Sequence, residues 1–135
     1  MTGIVLDVSV AATWFLLDER PDPAVRDRAR IEGATVPIVW QWEIANALLM
    51  AERRGRLTAA ASAEAFADLS TMPIEIDHES FARAWDATYE LAIAHRLTLY
   101  DATYLELAVR RSLPLASLDG ELRACATAAG IALLP

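Results

Sequence analysis

Residues 3–9 read GIVLDVS. Ile4, Val5 and Leu6 form an unbroken apolar run that stops at Asp7. A strand with one wet face alternates apolar and polar residues, whereas a short unbroken run suits a strand covered on both faces. A helix over VAATWFLLDE, residues 10–19, follows, with Ser9 placed to cap it. Pro21 and Pro23 break the chain before a short polar helix at about 24–32. TVPIV (35–39) reads as a second strand, and the pattern through residues 40–56 as a helix ending near Gly55. Thr58 opens a further helix to Ser70, and PIEID (73–77) reads as a strand. A long helix over 79–95 precedes one starting at Tyr100 or Asp101. PLASLD (114–119) is a short strand, 121–130 a helix closed by Gly130, and IALL (131–134) a final strand. Strands separated by helices imply a parallel sheet. The expected architecture is α/β: a three-layer α/β/α domain around a central parallel sheet of about five strands.

The chain has 135 residues, 55 % hydrophobic and 23 % charged, which fits one domain over 1–135. It is too apolar for a disordered chain, and six Pro and five Gly are too few for a linker or fibre. Cys125 is the sole cysteine, excluding an internal disulfide and a cysteine-built zinc site. All twelve basic residues are arginine. Without a lysine amine, P-loop nucleotide binding and Schiff-base chemistry are excluded. The lysine-assisted aspartyl phosphorylation of response regulators and haloacid-dehalogenase phosphatases goes with them. The net charge of −7 disfavours broad affinity for nucleic acid. The N-terminus carries no basic, apolar leader, and no stretch is long enough to span a membrane. A cytoplasmic protein is expected.

In a parallel sheet, ligands lie beyond the carboxyl ends of the strands. Asp7 follows the first strand and Asp119 the strand LASL, so both belong at that edge. Asp101 begins a helix, and Glu43 lies in the first turn of another. Each has a plainer alternative: Asp7, Asp101 and Asp119 suit turns or helix caps. Glu43 shares a helical stripe with Val39, Trp40, Ala47 and Met50, where a carboxylate is desolvated and needs a partner, an arginine being one solution. If the four carboxylates converge to about 5 Å, each pair repels by about 3 kcal/mol at an effective dielectric near 20. Such a cluster must hold protons or bind cations. Hard divalent ions with oxygen ligands fit, Mg²⁺ foremost, because it takes few carboxylates and accepts phosphate oxygens. His78 and His95 read as surface or cap residues, Cys125 as a core filler, and the four tryptophans mainly as core with one or two available to a subunit interface.

Four segments together resemble one family. VLDVSV (5–10), WEIANAL (42–48), LYDATYLELA (99–108) and LASLDGEL (115–122) are similar, in order and spacing, to the motifs of the PIN domain, specifically the VapC-like toxins of prokaryotic type II toxin–antitoxin modules. Ser117 stands where threonine is commoner in that family. The resemblance implies a Mg²⁺-dependent endoribonuclease, with Mn²⁺ able to substitute, and an acidic site of Asp7, Glu43, Asp101 and Asp119. Asp7 and Asp101 would ligate the metal directly, and Glu43 and Asp119 would complete the coordination or act through water. Ser9, Asn46 and Ser117 would orient carboxylates or water from behind, Ser9 capping its helix as well or instead. Metal-activated water would then cut RNA to leave 5′-phosphate and 3′-hydroxyl ends. The resemblance also implies a VapB-like antitoxin, with a basic segment suited to an acidic toxin, and a homodimer. Arg26, Arg28, Arg30, Arg53, Arg54 and Arg56 could face RNA, or be solvated helix ends. A PIN-like nuclease of RNA or DNA processing outside a toxin module, an inactive binding protein whose acids are caps, and a metal-dependent phosphatase are the competing readings.

Overall fold

The computed structural model describes residues 3–16 and 18–135. The helix expected over 10–19 crosses Leu17, which lies outside the described residues, as do the first two residues of the N-terminal segment read for a leader. Among the described residues four strands pair in parallel: β1 (Ile4–Leu6), β2 (Ala34–Pro37), β3 (Ile74–Asp77) and β4 (Leu115–Ala116), in the order β3-β2-β1-β4. β1 is central, with Ile4 opposite Ala34 and Val5 opposite both Thr35 and Leu115. Ile4, Val5 and Leu6 have no exposed surface, as the unbroken apolar run requires.

Helices cover both faces. In chain order they are α1 (Val8–Ala11), α2 (Pro23–Glu32), α3 (Trp40–Arg53), α4 (Ala59–Thr71), α5 (Glu79–Arg83), α6 (Ala87–His95), α7 (Leu99–Arg111) and α8 (Gly120–Ala128). α7 lies against β1 and β2 and is itself packed by α6 and α8. That position explains the unbroken burial of residues 102–108. Gly33 closes α2 at φ +87°, where an added Cβ would stand 3.2 Å from the Pro73 carbonyl oxygen, so glycine suits the entry to β2. Among the described residues no helix is long and apolar enough to cross a membrane.

Three expectations need correction. Among the described residues the sheet has four strands where about five were expected: the stretch 131–134 supplies only a parallel bridge from Leu133 to Leu115. β4 is two residues long and offers little backbone to pair with, and Pro135 brings no N–H. The helix expected over 79–95 is two, because the Asp86 carboxylate takes the Ala87 N–H and starts a new helix. The first helix begins at Val8, before Ser9, and passes into a 3-10 turn at Ala12–Trp14. Ser9 therefore caps no helix. Trp14 and Trp40 are buried, whereas Trp42 and Trp85 are exposed.

One ion network ties the sheet edge to α7. Asp77, at the end of β3, is 2 % exposed and accepts from Arg110 Nη2 and, at 3.0 Å, from Arg111. Arg110 also binds Glu106 at 2.7 Å. Burial alone would raise the Asp77 carboxyl, but the two guanidinium groups hold it below the usual carboxylate range. Its stabilisation is therefore present at neutral pH and lost as pH falls through that lowered value. Arg110→Ala should lower the free energy of unfolding by about 3 kcal/mol at pH 7. Urea denaturation checks this, and the deficit should shrink in acid as Asp77 protonates.

Candidate active site

Asp7 is the residue immediately after β1, and only 7 % of its surface is exposed. It occupies the N-terminal position of α1, yet its carboxylate caps no backbone donor. Instead Oδ2 accepts two hydroxyl protons, from Ser9 Oγ and Ser117 Oγ, both at 2.7 Å. Each serine oxygen in turn accepts a backbone N–H from the loop after β4: Ser9 from Leu118 at 2.9 Å, Ser117 from Asp119 at 3.1 Å. Two hydroxyls thus bind the exit of β4 to the exit of β1, with Asp7 as their common acceptor.

The other three acids arrive on helix N-termini. Glu43 is in the first turn of α3, half-buried, and among the described residues no arginine compensates it; Tyr104 Oη donates to its Oε1 at 2.6 Å. Asp101 is in the first turn of α7 but is not the cap. Thr98 takes that place, its hydroxyl accepting the Asp101 N–H at 3.2 Å. Asp119 does cap α8, with Oδ1 accepting from Leu122 at 3.0 Å. The plain reading of Asp119 as a cap is thus met by one oxygen, and that of Asp101 is not needed.

The carboxylates feel one another. Burial pushes the Glu43 carboxyl above its ordinary range, the Tyr104 bond opposes this, and the charges of Asp7 and Asp101 add to the rise. Asp101 is likewise raised, first by burial and then by Asp119 and Asp7, with Thr98 opposing and Glu121 contributing further. Among the described residues none of the four acids forms an ion pair with an arginine, although Asp18, Asp68, Asp77 and Glu106 all do.

That contrast is the test of a metal. A buried carboxylate with no cation, beside three further acids, is an all-oxygen donor set of the kind a hard divalent ion neutralises. Among the described residues no three His, Cys, Asp or Glu side chains form a cage ready to grip one ion. Mg²⁺ does not need one, since it holds on through one or two carboxylates and keeps its waters. The residues fit such an ion.

Two neighbours escape a reading from sequence. Tyr104 is a fully buried aromatic at helical spacing, which looks like any core residue. Glu121 was hidden as an ordinary first-turn acid of α8. Asn46, one turn beyond Glu43 on α3, is exposed, and among the described residues no hydrogen bond joins it to the four carboxylates. Of the six candidate RNA-facing arginines, Arg26 and Arg30 pair with Asp68, Arg28 with Glu32, and Arg56 with Asp18 and Glu19. Arg53 and Arg54, both exposed, form no ion pair among the described residues.

Comparison with known proteins agrees with this fold. The model of the PIN domain family matches residues 4–128, so the chain belongs to the PIN domain family. It is homologous to VapC-type ribonuclease toxins. It is 28 % identical over 119 residues to Ribonuclease VapC3 of Pyrobaculum aerophilum, covering 88 % of this chain and 91 % of that one. The crystal structure of PAE2754 from Pyrobaculum aerophilum superposes with a TM-score of 0.72 at 26 % identity, over 98 % of this chain and 83 % of the other. Mycobacterium tuberculosis VapC20, a sarcin-ricin loop cleaving toxin, shares the fold at a TM-score of 0.57 and 16 % identity, over 90 % and 93 % of the two chains.

Repulsion in the cluster gives a stability prediction. A carboxyl raised in the folded state favours folding most when protonated, and that contribution is lost as pH rises through its raised value. Glu43→Gln removes the charge and keeps an acceptor for Tyr104. In EDTA it should be more stable than the parent by a few tenths to about 1 kcal/mol at pH 7, since solvent partly screens the site. Thermal unfolding across pH checks it: the advantage should disappear in acid.

Proposed function

We propose that this protein is a Mg²⁺-dependent endoribonuclease, the toxin of a VapBC-type toxin–antitoxin pair, with Mn²⁺ able to replace Mg²⁺. The observation that carries the reading is the group of four acids at the carboxyl edge of the sheet, none paired with an arginine among the described residues while other acids of the chain are. Membership of the PIN domain family and the likeness to Ribonuclease VapC3 support the same reaction class.

In this reading Asp7 and Asp101 hold the ion, and Glu43 and Asp119 complete its surroundings directly or through water. The ion, when bound, lowers the pKa of water and offsets charge on the phosphate in the transition state. Ser9 and Ser117 fix Asp7 Oδ2, which leaves Oδ1 as the outward oxygen. Asn46 is placed to orient water or RNA from the exposed side of α3. Glu43, with Oε1 held by Tyr104, offers Oε2 to a proton of the attacking water. Attack by water in line with the departing 3′ oxygen leaves a 5′-phosphate and a 3′-hydroxyl. A cyclic 2′,3′-phosphate product would contradict the scheme.

The direct test is incubation of pure protein with total RNA. Cleavage is expected with Mg²⁺ or Mn²⁺ and none with EDTA, and Asp7→Asn should lose about 10²–10³-fold in rate. Metal-independent cleavage, or full activity in Asp7→Asn, would overturn the reading.

Two partners belong to the proposal. A net charge of −7 suits an antitoxin with a basic segment, as does the lack of an arginine partner for the site acids. A second copy is the other. Phe81 on α5, Trp85 between α5 and α6, and Tyr89 and Ile93 on α6 are all exposed, Trp85 at 94 %. Large apolar residues this close in sequence and left in water suit a subunit interface. Light scattering after size exclusion should give a dimer for the parent chain and a monomer for Trp85→Glu.

A further inference from the structure

We propose that Tyr104 is a positioning residue whose single hydroxyl sets Glu43 against Asp7 and so determines how tightly the site holds a divalent ion. The proposal rests on the metal-dependent reading above. Tyr104 lies three residues after Asp101, on the same face of α7, and none of its surface is exposed. Its Oη donates to Glu43 Oε1 at 2.6 Å. This hydroxyl therefore joins α7 to α3, and each of those helices supplies one acid of the site.

The consequence for Glu43 is specific. A glutamate has three side-chain torsions, and a half-buried one on an apolar stripe has few partners to fix them. The phenol holds one oxygen and leaves Oε2 as the free acceptor, so the carboxylate cannot turn both oxygens away from Asp7. Partners behind a ligand typically change metal affinity or activity by about 10–100-fold when removed.

The test is Tyr104→Phe in the full chain, with Mn²⁺ binding measured by calorimetry in the absence of RNA. Affinity should fall by about tenfold or more. The single-turnover rate of RNA cleavage should fall with it, while KM for RNA stays within about twofold of the parent. In a Glu43→Ala background, adding Tyr104→Phe should change Mn²⁺ affinity by less than about twofold, because no carboxylate is left to position. Parent-like affinity in a folded Tyr104→Phe overturns the assignment, as does an equal loss in the Glu43→Ala background, which would mark general loosening of the core. A parent protein that binds no Mn²⁺ overturns the metal-dependent reading itself and this inference with it. Should Tyr104→Phe not fold, the parent protein decides by NMR. Its Tyr104 hydroxyl proton should exchange slowly and shift on addition of Mg²⁺ alone. Rapid exchange, or no response to Mg²⁺, contradicts the proposal.

Discussion

The fold delivers a buried carboxylate to its own edge and, among the described residues, pairs it with no arginine. Asp7 is there because β1 must be apolar through Leu6 to lie at the middle of the sheet, so the first polar residue falls at the carboxyl end. Two serine hydroxyls satisfy Oδ2, and they cannot neutralise it. The same hydroxyls bring the β4 exit, and Asp119 with it, toward Asp7. Charge repulsion at this edge is thus built into the interactions that assemble it.

Elsewhere the chain treats its acids differently. Asp77 and Glu106 are as buried as Asp7, and Arg110 meets both of them. Asp68 takes two arginines and Arg56 takes two acids. A protein with twelve arginines had cations available, and the acidic edge received none among the described residues. Uncompensated charge of this sort lowers stability while the site is free of metal and creates affinity for whatever supplies positive charge. A divalent ion and a basic segment are two ways to supply it.

Much of this arrangement was legible in the sequence. The parallel sheet followed from strands alternating with helices, and the burial of β1 on both faces from the unbroken apolar run in GIVLD. The positions of Asp7 and Asp119 followed from the sheet rule, and Glu43 stood out as an acid on an apolar stripe. What could not be read was set by competition between short-range alternatives. Asp86 draws a backbone donor to its own carboxylate and divides one expected helix into two. Thr98 takes the cap that Asp101 also suits, which frees Asp101. Leu133 reaches β4 but finds only two paired residues there. The partner of Glu43 was expected to be an arginine if the role were structural, and it is a phenol sixty-one positions away, invisible to any local pattern.

The account stands on a divalent ion belonging between these carboxylates. The most direct measurement is an anomalous difference map from crystals of the metal-free protein soaked in Mn²⁺. A peak should lie within about 2.0–2.3 Å of an oxygen of Asp7 and of at least one of Asp101, Glu43 and Asp119, with waters filling the remaining positions. No peak at the edge of the sheet, with the four carboxylates unmoved and Asp7 still held only by its two serines, would contradict it.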